Sequence, residues 1–347
     1  MTSDTLVRLC GALALLSAAT VAMMTRLGAL DRPNARSSHT RPTPKGGGVG
    51  VVLAVLAGAA LLPATGLPGF WTAPGFAALL LAATGLAVLS QMDDTHNWPF
   101  SVKLAGQVTA AAVVMLGGLM VTELRLPGIG AAELGWGAVP FTLLWLVFVT
   151  NAVNFIDGLN GLAAGVALIA GLALAALAPE AGAWPVRALG LLLAAGLAGF
   201  LPFNFPRARI FMGDVGSQFC GFVLGALAVA CGRQEGAGLS FLLVPMLLAG
   251  VLFDVAFTLV RRAIAGERLT EAHRGHLYQV AHRSGMPAPA VTLVHWGFTL
   301  WGGLCCALFL AAPPPAKPLV PLLVLPPQLA WALLVAHRAR RAHLGRW

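Results

Sequence analysis

Carboxylates recur in this chain beside long apolar runs. Asp93 and Asp94 are adjacent and follow one such run, Asp157 follows a second, and Asp214 precedes a third. Any one of these residues alone could be a solvated helix end. If they converge, however, their charges repel, and a divalent cation is the usual partner that holds carboxylates together. The spacing therefore predicts a cation site where the ends of these runs meet.

The Asp93-Asp94 pair leaves two interpretations open. Neighbouring side chains on a helix point in different directions, so one carboxylate could help to bind a metal while the other acts as a base or supports the first. The alternative is a helix end that both carboxylates cap. Lys103, nine residues later, could reach a phosphate or could only extend its amine to the membrane surface.

A second polar group stands in the run NAVNFIDGLNG, from Asn151 to Gly161. At about 100° per residue, Asn151, Asn154 and Asp157 fall within about 120° on one helical face. Such groups at membrane depth are costly unless they bind something. A polar seam between packed helices is the alternative.

A third group is the run FNFPRARIFMGDVGS, residues 203–217. Its Asp214 stands beside Gly213 and Gly216 at the predicted start of a helix, which would place a carboxylate next to free backbone N–H groups. That arrangement suits a Mg²⁺–phosphate pair. A plain N-cap of the helix is the alternative.

The longest polar segment, residues 261–289, holds a fourth group, His273, Arg274 and His276. These cations and imidazoles could contact a pyrophosphate or a leaving nucleotide. A zinc site is not supported, because the His-x-x-His spacing has no cysteine or third ligand nearby. Asp254, inside the preceding apolar run, is interpreted as the partner of a basic residue at the end of its own helix.

The composition indicates what kind of fold must position these groups. The chain has 347 residues, of which 58% are hydrophobic and 10% charged, and its mean hydropathy is +0.82. Water-soluble domains average roughly 45–50% apolar and about a quarter charged residues. The five cysteines show no metal-binding spacing and predict no disulfide framework. We therefore expect an all-α, polytopic membrane protein in a lipid bilayer.

Eleven apolar runs are candidates for helices that cross the membrane, or ten if the proline-interrupted last run does not cross. The predicted spans are approximately Leu6–Leu30, Gly46–Leu62, Pro74–Ser90, Val102–Val121, Val139–Phe155, Leu159–Leu177, Arg187–Phe203, Gln218–Cys231, Leu239–Val260, Ala290–Ala312 and Leu319–Ala336. Residues 1–347 are predicted to form a single transmembrane domain.

Basic residues are distributed unevenly between the loops that these spans define. One side carries seventeen of the twenty-two lysines and arginines and includes the polar segments 31–45, 91–101, 151–160, 204–217 and 261–289. Because cytoplasmic loops carry the excess of basic residues, the N-terminus is predicted outside and the C-terminus and acidic motifs in the cytoplasm. No nucleic-acid partner is expected, since these basic residues are split among short loops without aromatic neighbours.

In their order along the chain, these motifs resemble those of the polyprenyl-phosphate N-acetylhexosamine-1-phosphate transferases, glycosyltransferase family 4. The resemblance rests on Asp93-Asp94, the runs 151–161 and 203–217, and the basic HRGH segment. The first inner loop also matches, as DRPNARSSH at 31–39 followed by PTPKGGG at 42–48. Five motifs in this order cover nearly the whole chain and are together highly specific.

The resemblance implies a phosphoryl transfer at the membrane surface. A polyprenyl phosphate, undecaprenyl phosphate in bacteria, attacks the β-phosphorus of a UDP-N-acetylhexosamine and yields polyprenyl-diphospho-sugar and UMP. Mg²⁺ is the implied cofactor, with Mn²⁺ as a substitute, since such transfers depend on charge neutralisation. The implied setting is the cytoplasmic face of the bacterial inner membrane, at the first membrane step of O-antigen, capsule or other cell-envelope polysaccharide synthesis. A homodimer is compatible with the resemblance.

The resemblance also implies roles for individual residues. The catalytic residues are then Asp93, Asp94 and Asp157. The metal ligands are Asp214 and Asn154. The substrate-binding residues are Lys45, Lys103, Asn151, Asn154, Asn204, His273, Arg274 and His276.

Two departures from the family pattern bear on the metal and the substrate. Many members carry an aspartate where this chain has Asn160, which weakens any metal role there. The peptidoglycan branch has three consecutive histidines where this chain reads His273-Arg-Gly-His276, which argues against a muramoyl-pentapeptide donor. The run EAHRGHLYQ resembles the branch that initiates O-antigen or capsule chains. GlcNAc, or a modified amino sugar such as N-acetylfucosamine or N-acetylquinovosamine, is therefore the expected sugar.

Two other classes of membrane protein fit the sequence less well. A secondary transporter would place its acids near the bilayer centre and would show paired repeats, whereas these acids stand at one predicted face. A CDP-alcohol phosphatidyltransferase also works with Mg²⁺ and aspartates. Its D-G-x₂-A-R signature is absent here, where the D-G at Asp157 continues as DGLNG.

The predicted orientation can be tested by chemical labelling. Gly182→Cys and Arg268→Cys, each in a cysteine-free background, should react oppositely with a membrane-impermeant maleimide, because the two positions are predicted on opposite sides. We expect labelling of position 182 in intact cells and labelling of position 268 only after the membrane is opened. Equal labelling of both positions from outside would contradict the orientation.

Overall fold

The structure is a computed structural model that describes residues 3–31, 41–65, 70–96, 98–126, 128, 130–233, 238–268 and 273–345. Residues 32–40 of the first predicted inner loop and residues 269–272 of the last lie outside these ranges. Every individual site residue predicted from the sequence lies within them.

Thirteen α-helices form most of the described chain. In chain order they are α1 (Ser3–Leu27), α2 (Gly48–Leu61), α3 (Phe76–His96), α4 (Phe100–Leu116), α5 (Ala138–Phe155), α6 (Leu162–Leu177), α7 (Glu180–Asn204), α8 (Asp214–Arg233), α9 (Leu243–Leu247), α10 (Ala249–Ile264), α11 (Leu277–Arg283), α12 (Ala288–Ala311) and α13 (Leu325–Arg341). Two antiparallel hairpins, which the sequence did not predict, accompany them. They are β1 (Leu30–Asp31) with β2 (Thr43–Pro44), and β3 (Glu123–Leu126) with β4 (Gly130–Glu133).

Every predicted apolar run contains an α-helix, because a backbone in lipid must satisfy its polar groups by internal hydrogen bonds. The fourth run was predicted too long, since α4 ends at Leu116 and not at Val121. In the described chain, seven helical segments are long and apolar enough to cross a membrane, and three shorter apolar helices accompany them. The predicted class, a helical polytopic membrane protein, is confirmed. The number of crossings and their orientation stay predictions.

Two predicted spans have different bounds because of proline. Proline lacks an N–H and is tolerated in the first turn of a helix. The ninth span accordingly begins at Leu243, with Pro245 in its first turn, and a break at Leu248 divides it into α9 and α10. The last span begins as a 3₁₀ helix, Lys317–Val324, which contains Pro321 and continues directly into α13.

Several predicted loops are partly helical. The end of α3 lies within the predicted loop 91–101, the end of α5 within 151–160, and the whole of α11 within 261–289. The eighth span also begins earlier than predicted, since α8 starts at Asp214 and not at Gln218.

α8 is the central helix of the bundle. In the stretch of α8 that is apolar enough to cross a membrane, 94% of the residues are buried inside the protein. In the other candidate spans of the described chain, this share does not exceed 67%. It packs against α2, α3, α5, α6 and α7. The contact with α2 depends on two glycines, because a Cβ on Gly48 would collide with the backbone of Gly216. The polar start of α8 is thereby held at the centre of one end of the bundle.

The glycine contact between α2 and α8 can be tested by adding one methyl group. Gly48→Ala must push the two backbones apart, and overpacking of this kind costs about 1–3 kcal/mol. We expect a lower unfolding temperature for Gly48→Ala in detergent. Gly85→Ala in α3 is the matched control, since no atom stands within 4 Å of its added Cβ. Equal unfolding temperatures for the two variants would contradict the close approach.

Candidate active site

Two segments run side by side at the start of α8. Phe211 N donates a hydrogen bond to Pro44 O at 2.8 Å, and Gly47 N donates one to Phe211 O at 2.9 Å. These bonds join the end of the first inner loop to the residues that precede α8. Lys45 is therefore held beside the start of α8.

Gly213 makes the turn into α8. Its φ of +75° lies in the left-handed region that favours glycine. A Cβ at this position would stand 2.8 Å from Asp94 Oδ2 and 3.2 Å from Gly46 N. The turn thus brings Asp94, at the end of α3, close to Asp214, at the start of α8, so two of the predicted acidic segments meet.

Two lysines neutralise part of the acidic charge. Lys45 Nζ lies 3.1 Å from Asp94 Oδ1. Lys103 Nζ lies 3.0 Å from Asp214 Oδ2 and also contacts Asp93 Oδ2. The two lysine side chains are 21% and 28% exposed, so an anion approaching from the surface can reach both amines.

Asp93 and Asp94 have different surroundings, as expected for neighbours on a helix. Asp93 accepts a hydrogen bond from Trp98 N at 2.7 Å and contacts Lys103, so both of its oxygens are engaged. Asp94 pairs with Lys45 through Oδ1, while its buried Oδ2 receives no hydrogen bond from the described residues. Asp93 therefore stabilises the connection between α3 and α4, whereas Asp94 has one carboxylate oxygen that a ligand can bind.

Asp157 lies beyond α5, so its predicted place on a shared helical face is wrong. α5 ends at Phe155, and Asp157 N donates to Asn154 O at 3.2 Å in the turn that follows. The surrounding protein, and then the charges of Asp214 and Asp94, raise the pKa of Asp157 well above its usual range. The residue therefore belongs to the same electrostatic group despite its different backbone position.

Asp94, Asp157 and Asp214 have the donor chemistry of a Mg²⁺ site. Mg²⁺ keeps several waters and usually takes one or two protein carboxylates together with substrate phosphates. Within the described ranges, no three His, Cys, Asp or Glu side chains stand close enough to hold a metal by themselves. The buried Asp94 Oδ2 nevertheless receives no hydrogen bond from the described residues, so it is open to a further positive partner. The residues fit a cation whose coordination is completed by phosphate and water.

A chain of amides reaches Asp214 from inside the bundle. Asn151 Nδ2 donates to Gln107 Oε1 at 2.7 Å, and Gln107 Nε2 donates to Gln218 Oε1 at 3.1 Å. Gln218 Nε2 then donates to Asp214 Oδ2 at 3.4 Å. On the other side, Asn154 Nδ2 donates to Asp214 Oδ1 at 3.1 Å. Asn154 thus contacts the carboxylate directly, whereas Asn151 acts on it through two glutamines.

Gln107 and Gln218 were missed by the sequence reasoning. Each is a single amide in an apolar helix, and they are 2% and 1% exposed. A buried amide without a partner is costly, so their occurrence in predicted spans was the one signal that could have identified them.

Asn204 holds the backbone together, and its surroundings do not support the predicted contact with substrate. The residue is 3% exposed, its Oδ1 accepts a bond from Gly161 N at 2.6 Å, and its Nδ2 donates to Ile210 O at 2.9 Å. Asn160 makes a similar connection through Nδ2 to Pro206 O at 3.2 Å. Both asparagines join the turn after α5 to the segment that precedes α8.

The predicted phosphate contacts in the last inner loop separate into buried and accessible groups. His276 is 5% exposed, so its position does not support a direct contact with phosphate. The ring of His273 stacks on that of His276, with centroids 4.9 Å apart. Burial, followed by the charges of His276 and two nearby arginines, lowers the pKa of His273 to about 4, so this imidazole is neutral near pH 7. Arg274 therefore supplies the positive charge of the segment.

The sequence predicted that Asp254 pairs with a basic residue at the end of its own helix, and this prediction is wrong. Its Oδ1 lies 3.1 Å from His276 Nδ1, in the segment that follows α10. Arg262, at the end of α10, pairs instead with Glu267 at 2.8 Å. The next loop folds back onto α10 and supplies the partner, which spacing along one helix cannot reveal.

Comparison with known proteins relates this arrangement to one family. The family model described as Glycosyl transferase family 4 matches residues 76–232, from the start of α3 to the end of α8. The matched range includes the four aspartates of the candidate site, Asp93, Asp94, Asp157 and Asp214.

Relatives with similar sequences extend the match beyond that range. A probable undecaprenyl-phosphate N-acetylglucosaminyl 1-phosphate transferase of Bacillus subtilis is 33% identical over 73% of this chain and 69% of its own length. A decaprenyl-phosphate N-acetylglucosaminephosphotransferase of Mycobacterium tuberculosis is 34% identical over 81% of this chain and 75% of its own. A phospho-N-acetylmuramoyl-pentapeptide-transferase of Acetivibrio thermocellus is 31% identical over 70% and 72%.

The raised pKa of Asp157 predicts a pH dependence of stability in the absence of divalent cations. Between the usual and the raised pKa, the folded state keeps a proton that the unfolded state releases, so the free energy of unfolding falls as pH rises. Asp157→Asn removes this titration. We therefore expect the unfolding temperature of Asp157→Asn, relative to the unsubstituted protein in chelator, to increase as the pH rises above about 4, the usual pKa of an aspartate.

A control variant separates this effect from general changes in net charge. Glu133→Gln removes a carboxylate from the exposed strand β4 and should follow the pH dependence of the unsubstituted protein. If Asp157→Asn also follows it in parallel, the carboxyl does not titrate abnormally.

Proposed function

Because this chain belongs to the family of polyprenyl-phosphate N-acetylhexosamine-1-phosphate transferases, we propose that it transfers N-acetylglucosamine 1-phosphate from UDP-N-acetylglucosamine to undecaprenyl phosphate. The relatives from Bacillus subtilis and Mycobacterium tuberculosis are phospho-sugar transferases named for polyprenyl phosphates. Transfer of a phospho-sugar to a polyprenyl phosphate is therefore the activity of this chain at the level of the family. The observation that carries the finer proposal is the convergence of Asp94, Asp157 and Asp214 with Lys45 and Lys103 at the start of α8.

In the proposed reaction, an oxygen of undecaprenyl phosphate attacks the β-phosphorus of the donor. The bond from this phosphorus to the bridging oxygen breaks, and UMP leaves with that oxygen. The products are undecaprenyl-diphospho-N-acetylglucosamine and UMP. The lipid phosphate is already an anion near neutral pH, so the attack does not require a general base. Asp93, with both oxygens engaged, then serves to orient Lys103.

A bound Mg²⁺ would neutralise the charge that develops on the donor diphosphate as the bond breaks. One or two carboxylates from the group of Asp94, Asp157 and Asp214 would hold it, with phosphate and water completing the coordination. Asn154 and Gln218 keep the Asp214 carboxylate oriented by donating to its two oxygens.

The positive groups of the site would bind the phosphates. Lys45 and Lys103 stand where phosphate oxygens can meet their accessible amines. The N-terminal end of α8 adds the positive end of its helix dipole. Charge of this kind at the reacting phosphorus stabilises a phosphoryl-transfer transition state without covalent participation of the protein.

Two features support an N-acetylglucosamine donor. The Bacillus subtilis and Mycobacterium tuberculosis relatives are named for N-acetylglucosamine. The segment from His273 to His276 also lacks the three consecutive histidines of the peptidoglycan branch. A modified amino sugar is the alternative donor. We place the reaction at the cytoplasmic face of the inner membrane, at the first membrane step of O-antigen, capsule or another cell-envelope polysaccharide.

The proposed function is tested by supplying both substrates to the purified protein. With undecaprenyl phosphate and Mg²⁺, UMP release is expected from UDP-N-acetylglucosamine within a panel of UDP-sugars. Release from a modified amino sugar alone would move the assignment to that donor. If no UDP-sugar yields UMP, the proposed function is wrong.

Asp214 is expected to be essential for turnover and dispensable for folding. Asp214→Asn keeps the shape of the side chain but removes a carboxylate that would bind the metal and that pairs with Lys103. We expect UMP release to fall by roughly 10²-fold or more, with a higher Mg²⁺ midpoint, because a positioned charge at the reacting centre is worth about this much. The unfolding temperature should change little.

Glu133→Gln, on the exposed hairpin, is the control and should keep normal turnover. Normal turnover of Asp214→Asn at an unchanged Mg²⁺ midpoint would show that the metal is held elsewhere.

A further inference from the structure

One carboxylate in this protein is surrounded by donors and takes no part in the site described so far. Asp254 is 1% exposed, inside α10. Its Oδ1 accepts a hydrogen bond from Leu277 N at 2.9 Å and lies 3.1 Å from His276 Nδ1. Its Oδ2 accepts a bond from Tyr278 N at 3.0 Å. A buried charge with this many donors fixes the groups around it, since each would lose a bond on moving.

Apart from Thr258 Oγ1 of α10, which donates to Asp254 Oδ1 at 3.3 Å, these donors belong to the short segment that begins α11. His276 is the N-cap residue of this helix, and Leu277 and Tyr278 are its first two residues. Asp254 therefore supplies, from another helix, the acceptor for backbone groups that α11 cannot satisfy itself. The carboxylate attaches the start of α11 to α10.

Tyr278 attaches the same segment to the candidate active site. Its side chain is 1% exposed, and its Oη donates to Phe155 O at 2.8 Å, at the end of α5. A Cβ on Gly158 would collide with the phenol oxygen. The ring thus packs directly on the turn that carries Asp157.

The accessible residues His273 and Arg274 are held by these two attachments. The ring of His273 stacks on His276, which Asp254 holds. The backbone around Arg274 is fixed by Arg283 Nη1, which donates to Arg274 O at 3.0 Å. The position of this pair relative to Asp157 therefore depends on the contacts of Asp254 and Tyr278.

We propose that Asp254 and Tyr278 are positioning residues for the diphosphate of the sugar nucleotide. They place His273 and Arg274 opposite the carboxylates, so that affinity for the donor, and not for the lipid phosphate, depends on them. In this proposal Lys45 and Lys103 bind the lipid phosphate, and they belong to other segments of the chain, the residues before α2 and helix α4. The inference rests on the proposed function for the identity of the donor.

Tyr278→Phe is the sharper test, because it removes only the hydroxyl that binds Phe155 O. We expect the KM for UDP-N-acetylglucosamine, and its Kd in calorimetry, to rise about 3–10-fold, the factor that one ordinary hydrogen bond supplies. The KM for undecaprenyl phosphate and kcat should stay within about twofold.

The matched control is Ser17→Ala. Ser17 Oγ donates to Gly196 O at 2.7 Å, a buried bond between α1 and α7 of the same type and length. Its removal should cost similar stability without changing donor affinity. A purely structural role of Tyr278 would make the two variants alike.

Asp254→Asn tests the other attachment. The amide keeps the size of the carboxylate but turns one acceptor oxygen into a donor that faces other donors. We expect the donor KM and Kd to rise about 10–100-fold, more than in Tyr278→Phe, because buried donors are left unpaired. If this variant does not fold, Tyr278→Phe with its control still decides the question.

The outcomes distinguish this inference from the proposed function. A selective loss of donor affinity in Tyr278→Phe supports the positioning role. Unchanged donor affinity, or an equal rise in both KM values, overturns it. If the unsubstituted protein binds the sugar nucleotide but releases no UMP, the proposed reaction fails, while the calorimetric comparison of the variants still tests the positioning role.

Discussion

The attraction between carboxylates at the ends of apolar helices and the cations beside them is the interaction on which this structure depends. Lys45 pairs with Asp94, and Lys103 pairs with Asp214 and Asp93. Carboxylates this close repel one another unless positive charge lies between them. The close contact of α2 with α8 and the turn at Gly213 bring these charged groups together. The packing of the bundle and the electrostatics of its site are therefore one arrangement.

Two kinds of acid occur near the end of the bundle, and their partners distinguish them. Asp254 is satisfied by hydrogen bonds from the protein, so it has no capacity left for a ligand. Asp94 keeps a buried oxygen without a donor among the described residues, and the pKa of Asp157 is raised. A buried carboxylate oxygen without a hydrogen-bond donor, as in Asp94, therefore indicates a binding site. A carboxylate with several donors, as in Asp254, stabilises the structure around that site.

The helices could be predicted from the sequence because an apolar run in lipid has one way to satisfy its backbone. The motifs likewise identified the four aspartates and two lysines that the structure brings together. Single amides such as Gln107 could not be identified, since one polar residue in an apolar run shows no period and its partner lies on another helix. Asn204 was predicted to contact the substrate because a sequence motif identifies a residue as important without showing which groups it binds. The partner of Asp254 could not be predicted either, because it belongs to a later loop that folds back onto α10.

The position of Asp214 between two groups of residues suits the proposed reaction. Its Oδ2 faces Lys103 of α4, and its Oδ1 faces Asn154 of α5. Asn154 belongs to the end of α5, which leads into the turn with Asp157 and accepts the hydrogen bond of Tyr278 at Phe155 O. A displacement at phosphorus needs the attacking and leaving oxygens roughly in line, so the two substrates must approach from opposite sides. In the proposed reaction, groups on the two sides of the Asp214 carboxylate would meet this requirement, because the two substrates would then share the centre at Asp214.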